Sequence, residues 1–193
     1  MPRPSLDRRF RRTVTICVLA ALGLLVAAGS SPGGTAVGHQ TYTVTNLVSD
    51  GTIPAAHTDA NLVNAWGLTA TSSSPWWVAN NATGTSTLYN GNGVAQFPPT
   101  PLVVSVPGAP TGAVANPTSD FVVSAGGASG PARFLFATES GTIRAWNPGV
   151  PPGPPPPPPP PPSTVTELVV DNSAAGSVYK GLAIGSTDGN NFL

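Results

Sequence analysis

The chain has 193 residues, of which 24 are proline, 22 are glycine and only 8% carry a charge. This composition is rich in turn formers, so it excludes a protein built from long helices. It also excludes a natively disordered chain, because 40% of the residues are hydrophobic and the formal net charge is zero, whereas disorder needs few apolar residues and a high net charge.

The first 36 residues have the pattern of a secretory signal peptide. Five arginines precede an uncharged apolar stretch at residues 13–28, and small residues follow it as far as Ala36. The stretch is short for a membrane span, which needs about 20 residues, so we expect cleavage after Ala28 or Ala36 rather than an uncleaved anchor. The mature protein is therefore predicted to have no stable membrane span and to be secreted, or held at the cell surface or in the periplasm.

The predicted mature domain, residues 37–193, is mildly acidic. It keeps three basic and seven acidic residues, which gives a net charge of −4. No basic patch is left to neutralise a phosphate backbone, so the sequence argues against nucleic-acid binding. Cys17 is the only cysteine and would leave with the apolar stretch, which excludes disulfides and a cysteine nucleophile from the mature domain.

The first predicted strand covers residues 41–48, where apolar and β-branched side chains alternate. Residues 64–93 then contain a compact β-pattern. Strands are predicted at 66–70, 76–80 and 85–90, with turns between them that are rich in proline, asparagine and glycine. Antiparallel strands so closely spaced are typical of one blade of sheet.

This β-unit recurs along the chain. Residues 66–68 correspond to 111–113 and to 180–182, residues 77–81 to 135–139, and residues 84–85 to 141–142. The glycine of the first motif recurs after 45 residues, a spacing that fits a propeller blade of four short strands. The predicted fold is therefore all-β, a partial β-propeller of about two and a half blades of antiparallel sheet.

The second interval, from Gly112 to Gly181, is 69 residues long because it contains a proline-rich segment. Residues 148–162 include twelve prolines, nine of them consecutive. Such a segment forms polyproline II and is predicted to protrude as a stiff loop between two blades. We favour expansion of the proline tract in a surface loop that tolerates insertions over a role as a ligand for the aromatic grooves of other domains. The second copy also carries an extra loop at residues 119–130.

The best-preserved motifs are N-A-W-G-L at 64–68, P-W-W-V-A-N-N at 75–81 and G-T-S-T-L-Y at 84–89. They resemble an uncharacterised family of secreted bacterial proteins related to the six-bladed NHL-like and TolB-like β-propellers. Members of that family are much longer than this chain, so the resemblance implies that the chain is an amino-terminal fragment. No biochemical activity comes with the resemblance.

The residues before the first copy are candidate metal ligands. His57, Asp59, Asn61 and Asn64 combine an imidazole, a carboxylate and two amides, which could hold a divalent cation such as calcium. The favoured alternative is that Asp59 and Asn61 cap a turn and Asn64 bonds to the backbone, because the spacing matches no calcium loop. No other cofactor is predicted.

No catalytic residues are predicted, because the chain has only two histidines and no G-x-S-x-G motif. The recurring aromatic residues are predicted to pack between sheets rather than to form a carbohydrate-stacking platform. They are Trp66, Trp76, Trp77, Tyr89 and Trp146.

Three classes of function remain. The leading one is an exported propeller that binds or scaffolds an extracytoplasmic protein or carbohydrate. The second is a metal-dependent, lactonase-like hydrolase whose site needs further blades. The third is a structural protein of the cell surface.

Overall fold

The structure, a computed structural model, describes residues 42–154 and 160–193. The predicted signal peptide and Cys17 lie outside the described residues. The described residues are all-β, except for a single 3₁₀ turn at Ser173–Ala175. No helix among them has the length and apolar character needed to span a membrane.

The chain begins its regular structure with a short parallel pair, β1 (Val48–Ser49) and β2 (His57–Thr58). The predicted strand at residues 41–48 is therefore wrong over residues 42–47, which form no strand. An alternating pattern becomes a strand only where a neighbouring strand hydrogen-bonds along it. Here the ladder with β2 includes only Val48, the last residue of the pattern, and Ser49 after it.

Sheet 1 is a four-stranded antiparallel meander whose strands follow one another in chain order. Its strands are β3 (Ala65–Thr69), β4 (Trp76–Asn80), β5 (Thr85–Tyr89) and β6 (Val103–Ser105). The predicted strands at 66–70, 76–80 and 85–90 are confirmed to within one residue. The sequence prediction did not include β6, which pairs with β5 and completes the sheet.

Sheet 2 repeats this arrangement, with one hairpin inserted after its first strand. Its strands are β7 (Pro110–Ala115), β10 (Phe134–Thr138), β11 (Thr142–Trp146) and β12 (Glu167–Asp171), and the inserted hairpin is β8 (Val122–Ala125) and β9 (Ala128–Pro131). The hairpin lies where the sequence predicted a loop. A last hairpin consists of β13 (Gly185–Thr187) and β14 (Asn190–Phe192).

The sequence repeat coincides with the repeat in structure. Strands β4 and β10 end immediately before the aligned residues Asn81 and Glu139. Strands β5 and β11 begin immediately after the aligned glycines Gly84 and Gly141, whose φ angles are 63° and 77°. Both glycines thus supply the left-handed conformation that the preceding turn needs.

The first strands of successive copies lie side by side at very close range. A Cβ atom on Gly67 would lie 2.6 Å from the nitrogen of Ala113 and from the oxygen of Thr111. A Cβ atom on Gly112 would lie 2.2 Å from the nitrogen of Leu182. Glycine at these two equivalent positions therefore permits the backbones to touch. We call β3, β7 and residues 180–182 the inner row.

An aromatic cluster joins the two sheets. The ring of Trp77 in sheet 1 is stacked on Phe134 of sheet 2, with 4.3 Å between centroids, and lies 4.6 Å from Trp146. Trp77, Tyr89 and Trp146 are buried, as predicted, but Trp66 and Trp76 remain 44% and 47% exposed. The prediction of packing between sheets is therefore confirmed for Trp77 and Trp146 only, because Tyr89 is buried beside Asp59 and outside this cluster.

Strand β10 contributes to two cores because its side chains alternate between faces. Phe134 and Phe136 pack in the cluster with sheet 1. Leu135 and Ala137 pack on the opposite face, in a cluster against which Leu182 and Ile184 of the third copy also lie. Sheet 2 is thus packed between its two neighbours.

The described parts of the proline-rich segment, residues 148–154 and 160–162, contain no strand. The segment is closed at its base, because the backbone nitrogen of Ser163 donates to the carbonyl of Pro148 (2.8 Å). The indole nitrogen of Trp146 donates to the carbonyl of Ser163, also at 2.8 Å. This closure lets the loop leave sheet 2 without disturbing the pairing of β11 with β12.

Candidate ligand site at the inner row

Five polar or aromatic side chains form a closed set at the amino-terminal end of the inner row. We call this set the polar ring: Asn64, Trp66, Asn81, Glu139 and Lys180. The Trp66 indole donates to Asn64 Oδ1 (3.1 Å), Asn64 Nδ2 donates to Asn81 Oδ1 (3.0 Å), and Asn81 Nδ2 donates to Glu139 Oε2 (3.0 Å). Lys180 forms an ion pair with Glu139 Oε1, and its Nζ lies 5.5 Å from the centroid of the Trp66 ring.

The ring draws its members from all three copies of the repeat. Asn81 and Glu139 occupy the same position, immediately after the second strand of each sheet. Trp66 and Lys180 also correspond to each other, since each precedes the glycine of its copy. The ring therefore forms only because the copies are stacked in sequence.

Backbone contacts hold Asn64, Asn81 and Glu139 of the ring in place. Asn64 has a φ angle of 53°, in the left-handed region that asparagine tolerates better than most residues. Its carbonyl accepts a hydrogen bond from the nitrogen of Asn81 (3.1 Å). The nitrogen of Glu139 likewise donates to the carbonyl of Ala109 (3.0 Å). Asn81 and Glu139 are thus each fixed to the chain segment that precedes an inner strand.

A cavity of about 530 Å³ adjoins the polar ring and is lined by the inner row. Trp66 and Lys180 of the ring line it, together with the backbone around Gly67, Gly112 and Gly181. Because the glycines carry no side chains, peptide groups form part of the lining. A polar ligand could reach both the peptide groups and the ring.

Hydrogen bonds from Lys180 and then from Asn81 hold the pKa of the Glu139 carboxyl below its usual range. The carboxyl is therefore ionised at neutral pH. The side chains of Lys180 and Glu139 are 59% and 32% exposed, so water screens the attraction between them.

The Glu139→Gln variant tests this electrostatic contribution. A lowered pKa in the folded state means that the ionised carboxyl stabilises the fold above the unfolded-state pKa, about 4.3, and that this stability is lost as pH falls. The difference in melting temperature between wild type and Glu139→Gln is therefore expected to be larger at pH 7 than at pH 3. Thermal melts of both proteins at these two pH values measure it. A difference that stays constant or grows on acidification would contradict the assignment. Asp188→Asn, at an exposed turn, is the matched control.

The predicted metal ligands are divided between two places. His57, Asp59 and Asn61 line a different cleft, of about 430 Å³, together with Tyr89. Asn64 lies outside the residues that line this cleft and belongs to the polar ring. The structure thus brings three of the four candidates together.

Both oxygens of the Asp59 carboxylate already accept hydrogen bonds. Oδ1 accepts from the backbone nitrogen of Asn61 (2.9 Å) and from its Nδ2 (3.0 Å), and Oδ2 accepts from the Tyr89 hydroxyl (2.7 Å). This is the turn-capping arrangement that the sequence favoured for Asp59, whereas the Asn64 side chain bonds to the side chains of Trp66 and Asn81 and not to the backbone. Burial, together with the neighbouring Asp59, raises the pKa of Tyr89, so its hydroxyl stays a donor. In residues 42–154 and 160–193, no three His, Cys, Asp or Glu side chains are grouped to hold a metal ion.

Sequence reasoning missed Glu139 and Lys180 as site residues. The signal that could have found them lies in the repeat itself, since Glu139 aligns with Asn81 and Lys180 aligns with Trp66. Positions that line a shared surface in a repeat protein recur once per copy.

The fold and the site together define an all-β protein of repeated antiparallel sheets with a polar site at the inner row. It is similar to two proteins of Acanthamoeba polyphaga mimivirus, "Uncharacterized protein R648" (32% identical over 148 residues) and "Uncharacterized protein L690" (31% over 148 residues). Each alignment covers 75% of this chain but only 34% or 36% of the viral protein, so the chain spans about a third of the length of these curated relatives. No family model and no solved structure matches the chain.

Proposed function

We propose that the chain is part of an exported β-propeller, of the NHL-like or TolB-like kind, that serves as a binding or scaffold module. The architecture is supported by two consecutive four-stranded meanders whose first strands lie side by side. Propeller blades are four-stranded sheets arranged in this way about a central channel. The inner row would then form part of the channel wall.

The polar ring with its adjoining cavity is the observation that carries the binding function. It offers an ionised carboxylate, an ammonium group, two amides and a partly exposed indole within a small area. Side chains of these types recognise polar ligands by hydrogen bonds and by stacking. An extracytoplasmic carbohydrate or the polar surface of a protein fits this chemistry.

The propeller arrangement predicts contacts that solution NMR can detect. We expect nuclear Overhauser effects from the α-protons of Gly67 to the amide of Ala113, and from those of Gly112 to the amide of Leu182. Sheets stacked face to face as a sandwich would show neither effect and would contradict the proposal.

Binding can be tested by screening the chain on an array of neutral, acidic and amino-containing glycans, with hits mapped by amide and indole shifts. Shifts confined to residues 64–68, 111–113 and 180–182 support the proposed site. Shifts that cluster only around Asp59 and Tyr89 would place binding in the other cleft and overturn it.

Export has its own test. If the signal peptide is cleaved as proposed, amino-terminal sequencing of the protein from the medium or periplasm should start at Gly29 or Val37. Protein that remains in the cell with Met1 intact would contradict the proposed location.

A metal-dependent, lactonase-like hydrolase is the alternative, and one observation favours it. Glu139 places a carboxylate at a repeated position beside the inner row, and catalytic metals are held by such carboxylates. Metal analysis of a protein with the length of the viral relatives would distinguish the hydrolase from the binding module. Less than one equivalent of divalent ion per chain would count against the enzyme.

A further inference from the structure

The ammonium group of Lys180 is held in a small box formed by the Trp66 indole and the Glu139 carboxylate. We propose that this box is a recognition site for the ammonium group of a small ligand, and that Lys180 occupies it when no ligand is present. The inference rests on the proposed binding function and names the ligand chemistry.

The box has the two elements that ammonium recognition requires. An indole face attracts a cation through its quadrupole, and tryptophan does so better than the other aromatic side chains. A carboxylate adds a charge-assisted hydrogen bond to any N–H of the cation. Because the two elements come from different sheets, the box reflects how the copies stack and is not a local feature of one strand.

The host residues are fixed before any ligand arrives. Trp66 is in β3, and its indole nitrogen is hydrogen-bonded to Asn64. Glu139 is held through Oε2 by Asn81 and through its backbone by Ala109. Binding therefore requires little ordering of these side chains, which favours affinity.

Lys180, by contrast, is an exchangeable occupant. Its side chain is 59% exposed, and residue 180 lies outside the strands. Exposed ion pairs of this kind are weak, so an incoming ammonium group can displace Lys180 into water at little cost. The cavity of about 530 Å³ that adjoins Trp66 and Lys180 has room for the rest of a small ligand.

The experiment titrates the purified full chain with three ammonium probes and one neutral analogue. The probes are n-butylammonium, tetramethylammonium and glucosamine, and the analogue is N-acetylglucosamine. The readout is the indole N–H shift of Trp66, assigned by its loss in Trp66→Phe. We expect n-butylammonium and glucosamine to bind, tetramethylammonium to bind more weakly because it has no N–H to donate to Glu139, and the analogue to fail. Preference for glucosamine over the alkylammonium probes would identify an amino sugar, and the reverse order a simple amine.

Substitution of Lys180 gives the sharpest result. Lys180→Met removes the ammonium group that competes with the probe for the box. We expect it to tighten ammonium binding by about fivefold, because the probe no longer has to break the weak, exposed ion pair between Lys180 and Glu139. Lys180→Arg keeps a cation in the box and should bind as the wild type does. Arg133→Met removes the same charge at the opposite end of the inner strands, near residues 70–73 and 115–117, and should also change nothing.

Glu139→Gln preserves the shape of the box and is expected to abolish binding, with circular dichroism used to confirm that the variant is folded. Equal affinity of Lys180→Met and wild type, or no shift of the Trp66 indole with any ammonium probe, overturns the inference. If neutral glycans still shift residues 64–68 in that case, the proposed binding function stands and only the ammonium assignment fails.

Discussion

The Trp77→Ala variant is expected to be less stable than the wild type by about 3–5 kcal/mol. Trp77 is 2% exposed, and its ring packs on both Phe134 and Trp146 of the other sheet. Truncation removes one of the two tryptophan side chains of the cluster that joins the sheets and leaves a cavity, because the surrounding strands cannot fully collapse into it. Urea denaturation followed by fluorescence of the remaining tryptophans measures the loss.

The adjacent residue provides a matched control. Trp76 has the same side chain on the same strand but points to the other face and is 47% exposed. Since exposed positions contribute little, Trp76→Ala should cost at most about 1 kcal/mol. Equal losses for the two variants would show that Trp77 does not join the sheets.

The Gly112→Ala variant is expected to lose about 3 kcal/mol or more, because an added methyl group would overlap backbone atoms and not flexible side chains. The nearest atoms are the nitrogen of Leu182 at 2.2 Å and the carbonyl carbon of Gly181 at 2.5 Å. Residues 180–182 would have to move away from β7, which would also expose Leu182 and Ile184 of the second core. Denaturant melts and hydrogen exchange of the amides in residues 179–184 measure the effect.

Gly181→Ala is the control, because it changes the equivalent glycine of the third copy. A Cβ atom there meets nothing within 4 Å, so the substitution should be tolerated. The contrast separates a steric effect from a general cost of replacing glycine. If Gly112→Ala melts like the wild type, the inner strands do not touch as described.

Local chemistry determined the strands and turns of the repeat. Alternating side chains predict β4 and β5, and a glycine with a positive φ angle is required at the turn between them. The same signals recur around Gly141, so the second copy could be recognised as well. These features depend on residues that are close together in the chain, so the local sequence is enough to predict them.

The inserted hairpin shows how far local signals reach. Gly126 and Gly127 have φ angles of 58° and 79° and form the turn between β8 and β9, yet the prediction was a loop. The flanking residues are mostly small, so they have little strand preference of their own. The strands persist because Val123 and Ala132 are buried in the second core.

Sequence by itself thus determined the all-β class and the repeat, and the tertiary structure decided which residues form the site. Glu139 and Lys180 are far apart in the chain, and nothing near either residue indicates that the two will pair across Trp66. They meet because Gly67 and Gly112 let successive inner strands touch. The burial of complete sheet faces determines which strands touch. The free energy of this burial is a sum over many residues that are distant in the chain, so a local sequence pattern does not reveal it.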